Sequence, residues 1–257
     1  MKIIISALFV ASFALAGSAY GNVQVNANTS SVSISNVSVT VFDLTPADAV
    51  QAGYTVQSVE NELFLQIDDG RSNAQGLLGP IDAPATRKLT GAGSTASAAL
   101  DSDFGDLAAH AGTTWAGAFA SSYLKQSATI TLAPYTGFAV AGTASFTAQL
   151  GKKDDMWAAH VDVSLQDRRW PPVEISKYGR HAHYYAWETA TPEIDLTEQF
   201  SVAYVNNSAE ARTVSLQFMN YVSYNSAAMV PEPRTWAMLG AGLLAIGAVA
   251  RRRQCAA

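Results

Sequence analysis

The amino-acid sequence predicts a mainly β protein, an antiparallel β-sandwich with a jelly-roll-like arrangement. Apolar and polar residues alternate with a period of two in many short segments, and β-branched residues are frequent in them. Turn-forming residues separate these segments, and convincing helical periodicity is rare between the two ends of the chain. Many short strands with few helices are typical of sandwiches. A signal peptide and a single transmembrane helix are predicted before and after this body.

The N-terminal segment, residues 1–19, has the composition of a secretory signal peptide. Lys2 precedes an almost wholly apolar run over residues 3–16, and small residues follow up to Ala19. We predict export through the Sec machinery and cleavage after Ala19, with Gly21 as the second choice. An uncleaved N-terminal membrane anchor is the alternative.

Residues 20–229 form the predicted extracytoplasmic body, whose 210 residues suit one domain. It contains 20 acidic and 11 basic side chains, a formal charge of −9, which argues against nucleic acid as a partner. The only cysteine, Cys255, lies beyond it, so the body has neither a disulfide nor a thiolate metal site.

The first half of the body begins with clear strand signals and then loses them. Residues 23–42 alternate, and a change of phase predicts a β-bulge near Asn36. Residues 56–67 predict another strand pair or one long strand, which ends at a turn over residues 68–70. Residues 71–99 are rich in small residues and predict loops with one short strand, while residues 101–120 predict a short helix or more loop.

The second half predicts two hairpins and further strands. Residues 127–150 alternate on both sides of a turn at 133–137, and residues 200–224 do the same around a turn at 206–208. The remaining predicted strands are 156–166 and 184–188.

The C-terminal segment, residues 230–255, has three physical parts. Pro231, Glu232 and Pro233 form a stiff extended tripeptide, because each proline fixes its own φ and restricts the preceding residue. Residues 236–250 are uncharged and almost wholly apolar, and Arg251, Arg252 and Arg253 follow. An apolar run between an aromatic residue and arginines predicts a transmembrane helix over about 235–250 with its basic end in the cytoplasm. The run spans only about 22 Å at roughly 1.5 Å per residue, so a buried helix of a soluble domain is the alternative.

This order of Pro-Glu-Pro, apolar helix and arginine cluster resembles the PEP-CTERM sorting domain of Gram-negative bacteria. The resemblance covers Val230 to about Cys255. It implies recognition at Pro231, Glu232 and Pro233 by an exosortase, a membrane transpeptidase. It also implies anchoring in the inner membrane before processing, then a place at the cell surface or outside the cell, in association with exopolysaccharide and biofilm.

Two groups of residues are candidates for metal ligands. Asp101, Asp103 and Asp106 alternate beside a glycine, as in an irregular calcium loop, with a solvated acidic turn as the alternative. His181 and His183 have the spacing that places two imidazoles on one face of a strand. The residues that could complete a site with them in space are His160, Asp162 and Glu188.

Aromatic residues are dense between positions 157 and 187, where exposed rings would suit sugar stacking. The cluster consists of Trp157, Trp170, Tyr178, Tyr184, Tyr185 and Trp187. Trp170, Tyr184 and Trp187 are the predicted glycan contacts, and core packing is the alternative role for such residues.

The sequence lacks the common catalytic motifs, including a Gly-x-Ser-x-Gly elbow, a His-Glu-x-x-His helix and a P-loop. Glu60 and Glu62 could be imagined as a glycosidase pair, but an acidic β protein offers many such pairs. We therefore predict no enzyme and no cofactor. The hypotheses are a structural or adhesive surface or matrix protein, a carbohydrate-binding module on the same fold and, more remotely, a polysaccharide hydrolase.

Overall fold

The computed structural model describes the central part of the chain, all of it within one compact unit bounded by Met1 and Ala227. The described residues are 29–47, 51–68, 73–78, 81, 83–101, 104–114, 117–149, 156–168, 173–185 and 193–226. The predicted signal peptide (1–19) and sorting tail (230–255) lie outside them. Among the described residues there is no helix of the length and apolar character needed to cross a membrane.

Two six-stranded antiparallel sheets make up the body, as the sequence predicts for a mainly β protein. Sheet A has the strand order β11 (Glu193–Val205), β8 (Thr136–Gln149), β1 (Thr29–Asp43), β6 (Leu107–Thr113), β5 (Ser94–Leu100), β4 (Ala85–Thr90). Sheet B has the order β10 (Val173–Tyr185), β9 (Met156–Asp167), β12 (Arg212–Asn225), β7 (Phe119–Leu132), β2 (Tyr54–Asp68), β3 (Asn73–Leu78).

The core lies between the two sheets and is built by period-two alternation. In β12, for example, Val214, Leu216 and Phe218 are buried while the intervening residues are only half-buried. Polar side chains also join the sheets, since Asn220 Nδ2 of sheet B donates to the Leu107 carbonyl of sheet A over 3.1 Å. Each sheet therefore has one inner face and one outer face.

The predicted β-bulge near Asn36 is confirmed. Asn36 has a φ of 54°, and the register between β1 and β8 shifts between Ser35 and Ser38. The extra residue lets both Ile34 and Val37 face the core. The change of alternation phase in the sequence is the direct signature of this bulge.

Both predicted hairpins are wrong, because their turns connect the two sheets. β7 pairs with β2 and β12, whereas β8 pairs with β1 and β11. The turn after β7 and the turn after β11 are hydrogen-bonded to each other at one end of the sandwich. Asn206 Nδ2 donates to the Ala133 carbonyl over 2.8 Å, and Tyr135 N donates to the Ser208 carbonyl over 3.1 Å. Alternation and turn residues do not distinguish such a crossover from a hairpin.

The predictions of mainly loop for 71–99 and of helix or loop for 101–120 are also wrong. These stretches contain β3, β4, β5 and β6. In β5, Ala98 faces the core and Ala99 lies on the opposite face. Because alanine occupies both faces, hydrophobic alternation is nearly invisible in these strands.

Candidate functional site

The outer face of sheet B carries five aromatic side chains in a single line across five strands. His181 on β10 lies directly opposite His160 on β9, which lies opposite Tyr221 on β12. Tyr221 in turn lies opposite Tyr123 on β7, and Tyr123 opposite Phe64 on β2. We call His181, His160, Tyr221, Tyr123 and Phe64 the aromatic row. At about 4.8 Å between strands, it extends for roughly 19 Å at right angles to them.

The side chains of the aromatic row are partly exposed on the outer face of sheet B. His181 is exposed and the other four are half-buried, in contrast to the fully buried rings of the core. The imidazoles of His160 and His181 stack with their centroids 3.6 Å apart and their planes inclined by 25°. Burial, followed by the carboxylate of Glu62, raises the pKa of Tyr123 above its ordinary value of 10. At neutral pH its hydroxyl is a hydrogen-bond donor, as in any tyrosine.

On one side of the aromatic row, the next outward-facing residue of each strand, two positions from the row, is small or uncharged. Ala158 lies opposite Ser223, Ser223 opposite Ser121, and Ser121 opposite Gln66. We call these four residues the small flank. Beyond them, Met156 is 39% exposed and Phe119 is half-buried. The rings of the aromatic row therefore border a lower, uncharged strip of the sheet.

The other flank carries the charges, and these form ion pairs. Asp162 Oδ2 on β9 accepts from Lys177 Nζ over 2.7 Å, and Glu62 Oε2 on β2 lies 3.4 Å from Lys125 Nζ. The hydrogen bond and charge of Asp162 together outweigh burial and raise the pKa of Lys177. The side chains nearest the aromatic row are thus either uncharged or neutralised by a neighbour.

The predicted calcium loop is only partly described, since Asp103 lies outside the described residues. Asp101 N donates to the Asp106 carbonyl over 3.2 Å, and Asp106 is 4% exposed. Gly105, at a φ of 93°, donates its N–H to Gln126 Oε1 over 2.7 Å. The alternative of a solvated acidic turn is therefore wrong for Asp106, which is tied into the body.

The histidine prediction identified residues that do come together in part. His160 lies opposite His181, and its Nε2 lies 3.7 Å from Asp162 Oδ2. His183 pairs with Ala158 on β9, and Glu188 lies outside the described residues. The described residues include no group of three or more potential ligands that could hold a metal ion.

The predicted aromatic cluster separates into several environments. Trp157 is 3% exposed and belongs to the core. Tyr178 stacks on Phe200 of sheet A and donates its hydroxyl to Glu198 over 3.0 Å, which joins the edges of the two sheets. Of the predicted glycan contacts, Trp170 and Trp187 lie outside the described residues, as does the side chain of Tyr184, whose backbone pairs with Trp157 in β10.

The imagined carboxylate pair of Glu60 and Glu62 lies on the exposed part of β2, and Glu62 is paired with Lys125.

Sequence reasoning missed the aromatic row. Tyr123 and Tyr221 each occupy the polar phase of an alternating strand, which is a detectable signal for an outward-facing ring. Their alignment depends on strand order and register between segments far apart in the chain, which no local pattern contains.

Comparisons with known proteins add little. No family model matches the chain, and no curated protein matches it. One solved structure, reported as the structural basis for the promiscuous specificity of carbohydrate-binding modules from the β-sandwich superfamily, is 8% identical over 74% of this chain and 90% of that chain, with a TM-score of 0.12. At this TM-score the alignment supports neither a common fold nor a common function.

Proposed function

We propose that this protein is an exported surface or matrix protein whose β-sandwich body binds polysaccharide without chemical conversion, through the aromatic row on the outer face of sheet B. The observation that carries the binding proposal is the register that brings five aromatic side chains from five strands into one line. Delivery to the surface rests on the sequence alone, through the signal peptide and the resemblance of residues 230–255 to a PEP-CTERM domain.

The chemistry of the aromatic row suits a sugar polymer. The faces of Tyr221 and Tyr123 offer apolar area with a hydroxyl at the rim, a combination enriched at binding surfaces. A pyranose ring presents the complementary combination of C–H groups on its face and hydroxyl groups around its edge. The exposed imidazole of His181 adds hydrogen-bonding nitrogens at one end of the line, where it stacks on His160, whose Nε2 is buried.

A structural role is the competing explanation, because cross-strand aromatic pairs stabilise sheets by themselves. Such pairs contribute roughly 0.2–1 kcal/mol each relative to alanine. A structural role predicts that truncation lowers stability only, whereas a binding role predicts that it lowers affinity by more than the change in stability accounts for.

The test compares Tyr221→Ala with Phe42→Ala in the full chain, purified in detergent. Phe42 is the matched control because its ring is 43% exposed on the outer face of the other sheet. Affinity electrophoresis and calorimetry against a panel of soluble polysaccharides should show at least a tenfold loss of affinity, about 1.4 kcal/mol, for Tyr221→Ala. Phe42→Ala should bind as the wild type does. Equal affinities for Tyr221→Ala and wild type, or no binding to any polymer, would refute the proposal.

The sorting part of the proposal is tested separately by the intact mass of the native protein from the cell envelope and from the medium. Processed delivery predicts a species that starts near Tyr20 and ends near Pro231–Pro233. The variant Pro231→Ala/Pro233→Ala should accumulate with its tail retained, because it lacks the stiff tripeptide. A native species that ends at Ala257 and occurs only in the membrane would rule out processing and leave a tail-anchored envelope protein.

A further inference from the structure

We infer that the polysaccharide is an uncharged, extended chain that crosses the strands along the aromatic row. Its sugar rings stack on the row and extend sideways over the small flank. This inference rests on the proposed function and adds the direction of the ligand and its charge class.

The direction follows from the registers. The rings lie on five neighbouring strands at the same level, so they define a line perpendicular to the strands rather than along them. Within β12, the outer-face neighbours of Tyr221 are Met219 and Ser223, neither of which is aromatic. A ligand lying along β12 would meet one ring and a ligand along β7 would meet two, Tyr123 and Phe119, whereas a ligand lying across the strands would meet all five rings of the aromatic row.

The side on which the ligand has room follows from the two flanks. On the charged flank, Asp162, Met219, Lys125 and Glu62 lie opposite one another from β9 to β2 and carry long or ion-paired side chains. On the small flank, Ala158 and Ser223 are half-buried and shorter than the neighbouring tyrosines, and Ser121 is only 3% exposed. A chain stacked on the rings can therefore extend over the small flank without displacing an ion pair.

The charge class follows from the same residues. The four side chains of the small flank carry no charge, and both basic side chains near the row, Lys125 and Lys177, are already paired with carboxylates. A polyuronate would bring carboxylates to a surface with no unpaired cation among the described residues of the row and its flanks. It would also approach a body with a formal charge of −9. A neutral polymer of hexoses has no carboxylates that need a cation, and it is not repelled by the negative charge of the body.

The experiment fills the small flank and leaves the aromatic row intact. Ser223→Leu adds bulk beside Tyr221, and Ser215→Leu is the matched control because it lies on the same strand and the same outer face, half-buried like Ser223. Neutral β-glucan and mannan oligosaccharides of increasing length are titrated into each full-chain protein, and alginate serves as the anionic probe. Thermal unfolding of each variant checks the fold, and Ala158→Leu on the neighbouring strand replaces Ser223→Leu if the latter unfolds.

We expect affinity for neutral oligosaccharides to rise with length until the chain spans the row. Ser223→Leu should lose at least tenfold in affinity, Ser215→Leu should match wild type, and alginate should bind at least tenfold more weakly. If Tyr221→Ala loses binding while Ser223→Leu binds as wild type, or if alginate binds as tightly as the neutral chains, this inference is overturned and the proposed function stands. If Tyr221→Ala binds as wild type, the proposed function fails and the inference fails with it.

Discussion

The outer faces of the two sheets use aromatic side chains in opposite ways. On sheet A, the exposed ring of Phe42 lies over Gly137 of the neighbouring strand, and the remainder of the face is mostly serine, threonine and alanine. On sheet B, Tyr221 and Tyr123 lie opposite each other, and neither has a glycine directly opposite it. Phe42 therefore covers the place on sheet A where Gly137 has no side chain, whereas the rings of the aromatic row lie beside other rings and are partly exposed to solvent. An exposed aromatic residue is informative about binding only after its intramolecular contacts are known.

The strongest test of this difference is a double-mutant cycle on Tyr123 and Tyr221. Because the two rings lie directly opposite each other, we expect the double alanine variant to bind polysaccharide about 100-fold more weakly, about 2.7 kcal/mol. The coupling of the two residues in unfolding free energy should be only about 0.2–1 kcal/mol. Calorimetry with the polymer and denaturant unfolding measure the two quantities on the same samples.

The matched control for this cycle is Ser31→Ala/Thr147→Ala on sheet A. These residues also lie directly opposite each other on an outer face, and their hydroxyls are 2.6 Å apart. The control pair should lose no affinity. If the tyrosine variants are less stable but bind the polymer as tightly as wild type, the row only stabilises the sheet, and the contrast between the two faces is unrelated to binding.

A smaller effect is expected for Gly137→Ala on sheet A, because an added Cβ would overlap the ring of Phe42. Phe42 is 43% exposed and can swing outward, so the cost should lie near the lower end of the range for overpacking, about 1 kcal/mol. In a Phe42→Ala background the same change should be neutral or slightly stabilising, since alanine is preferred to glycine within a strand. Denaturant unfolding of the four proteins measures this. An equal cost in both backgrounds would mean that Phe42 does not cover Gly137.

The sequence was sufficient to predict the class of fold and the longer strands, because valine, isoleucine and leucine alternate there with serine and threonine. It did not predict β5, where Ala98 and Ala99 face opposite sides with the same side chain. It also did not distinguish hairpins from crossovers, since the hydrogen bonds of Asn206 that tie two crossovers together join positions 73 residues apart. Local alternation reports which face a residue occupies and carries no information about which strand lies beside it.

The same limit explains the outcome for the candidate site. The dense aromatic stretch between 157 and 187 predicted a glycan-binding patch, yet Trp157 fills the core and Tyr178 packs between the edges of the two sheets. The aromatic row instead takes single residues from segments as distant as Phe64 and Tyr221. Clustering along the chain was a poor guide because neighbours in a strand alternate between faces, whereas neighbours on a face come from different strands.

The smallest expected effect concerns His110, a half-buried residue on the outer face of sheet A, beside Ser31 and Ser97. Burial, followed by the positive charge of Lys88, lowers the pKa of His110 below its ordinary value of 6.5. The unfolded chain therefore takes up this proton more readily than the folded chain. The unfolding free energy is therefore highest, as far as His110 is concerned, above about pH 6.5. It decreases as the pH falls from there through the lowered pKa of the folded state. Other groups titrate in the same range, so the comparison must be made against a variant.

His110→Gln removes this contribution and keeps a polar side chain of similar size. We expect its unfolding free energy to decrease less than that of wild type as the pH is lowered from about 7 to 5. Lys88→Gln, which removes only the lesser cause, should give an intermediate slope. Denaturant unfolding at a series of pH values measures all three. Identical slopes for wild type and His110→Gln would show that the imidazole is as well solvated as in the unfolded chain. The outer face of sheet A would then be more open at His110 than the burial of this side chain indicates.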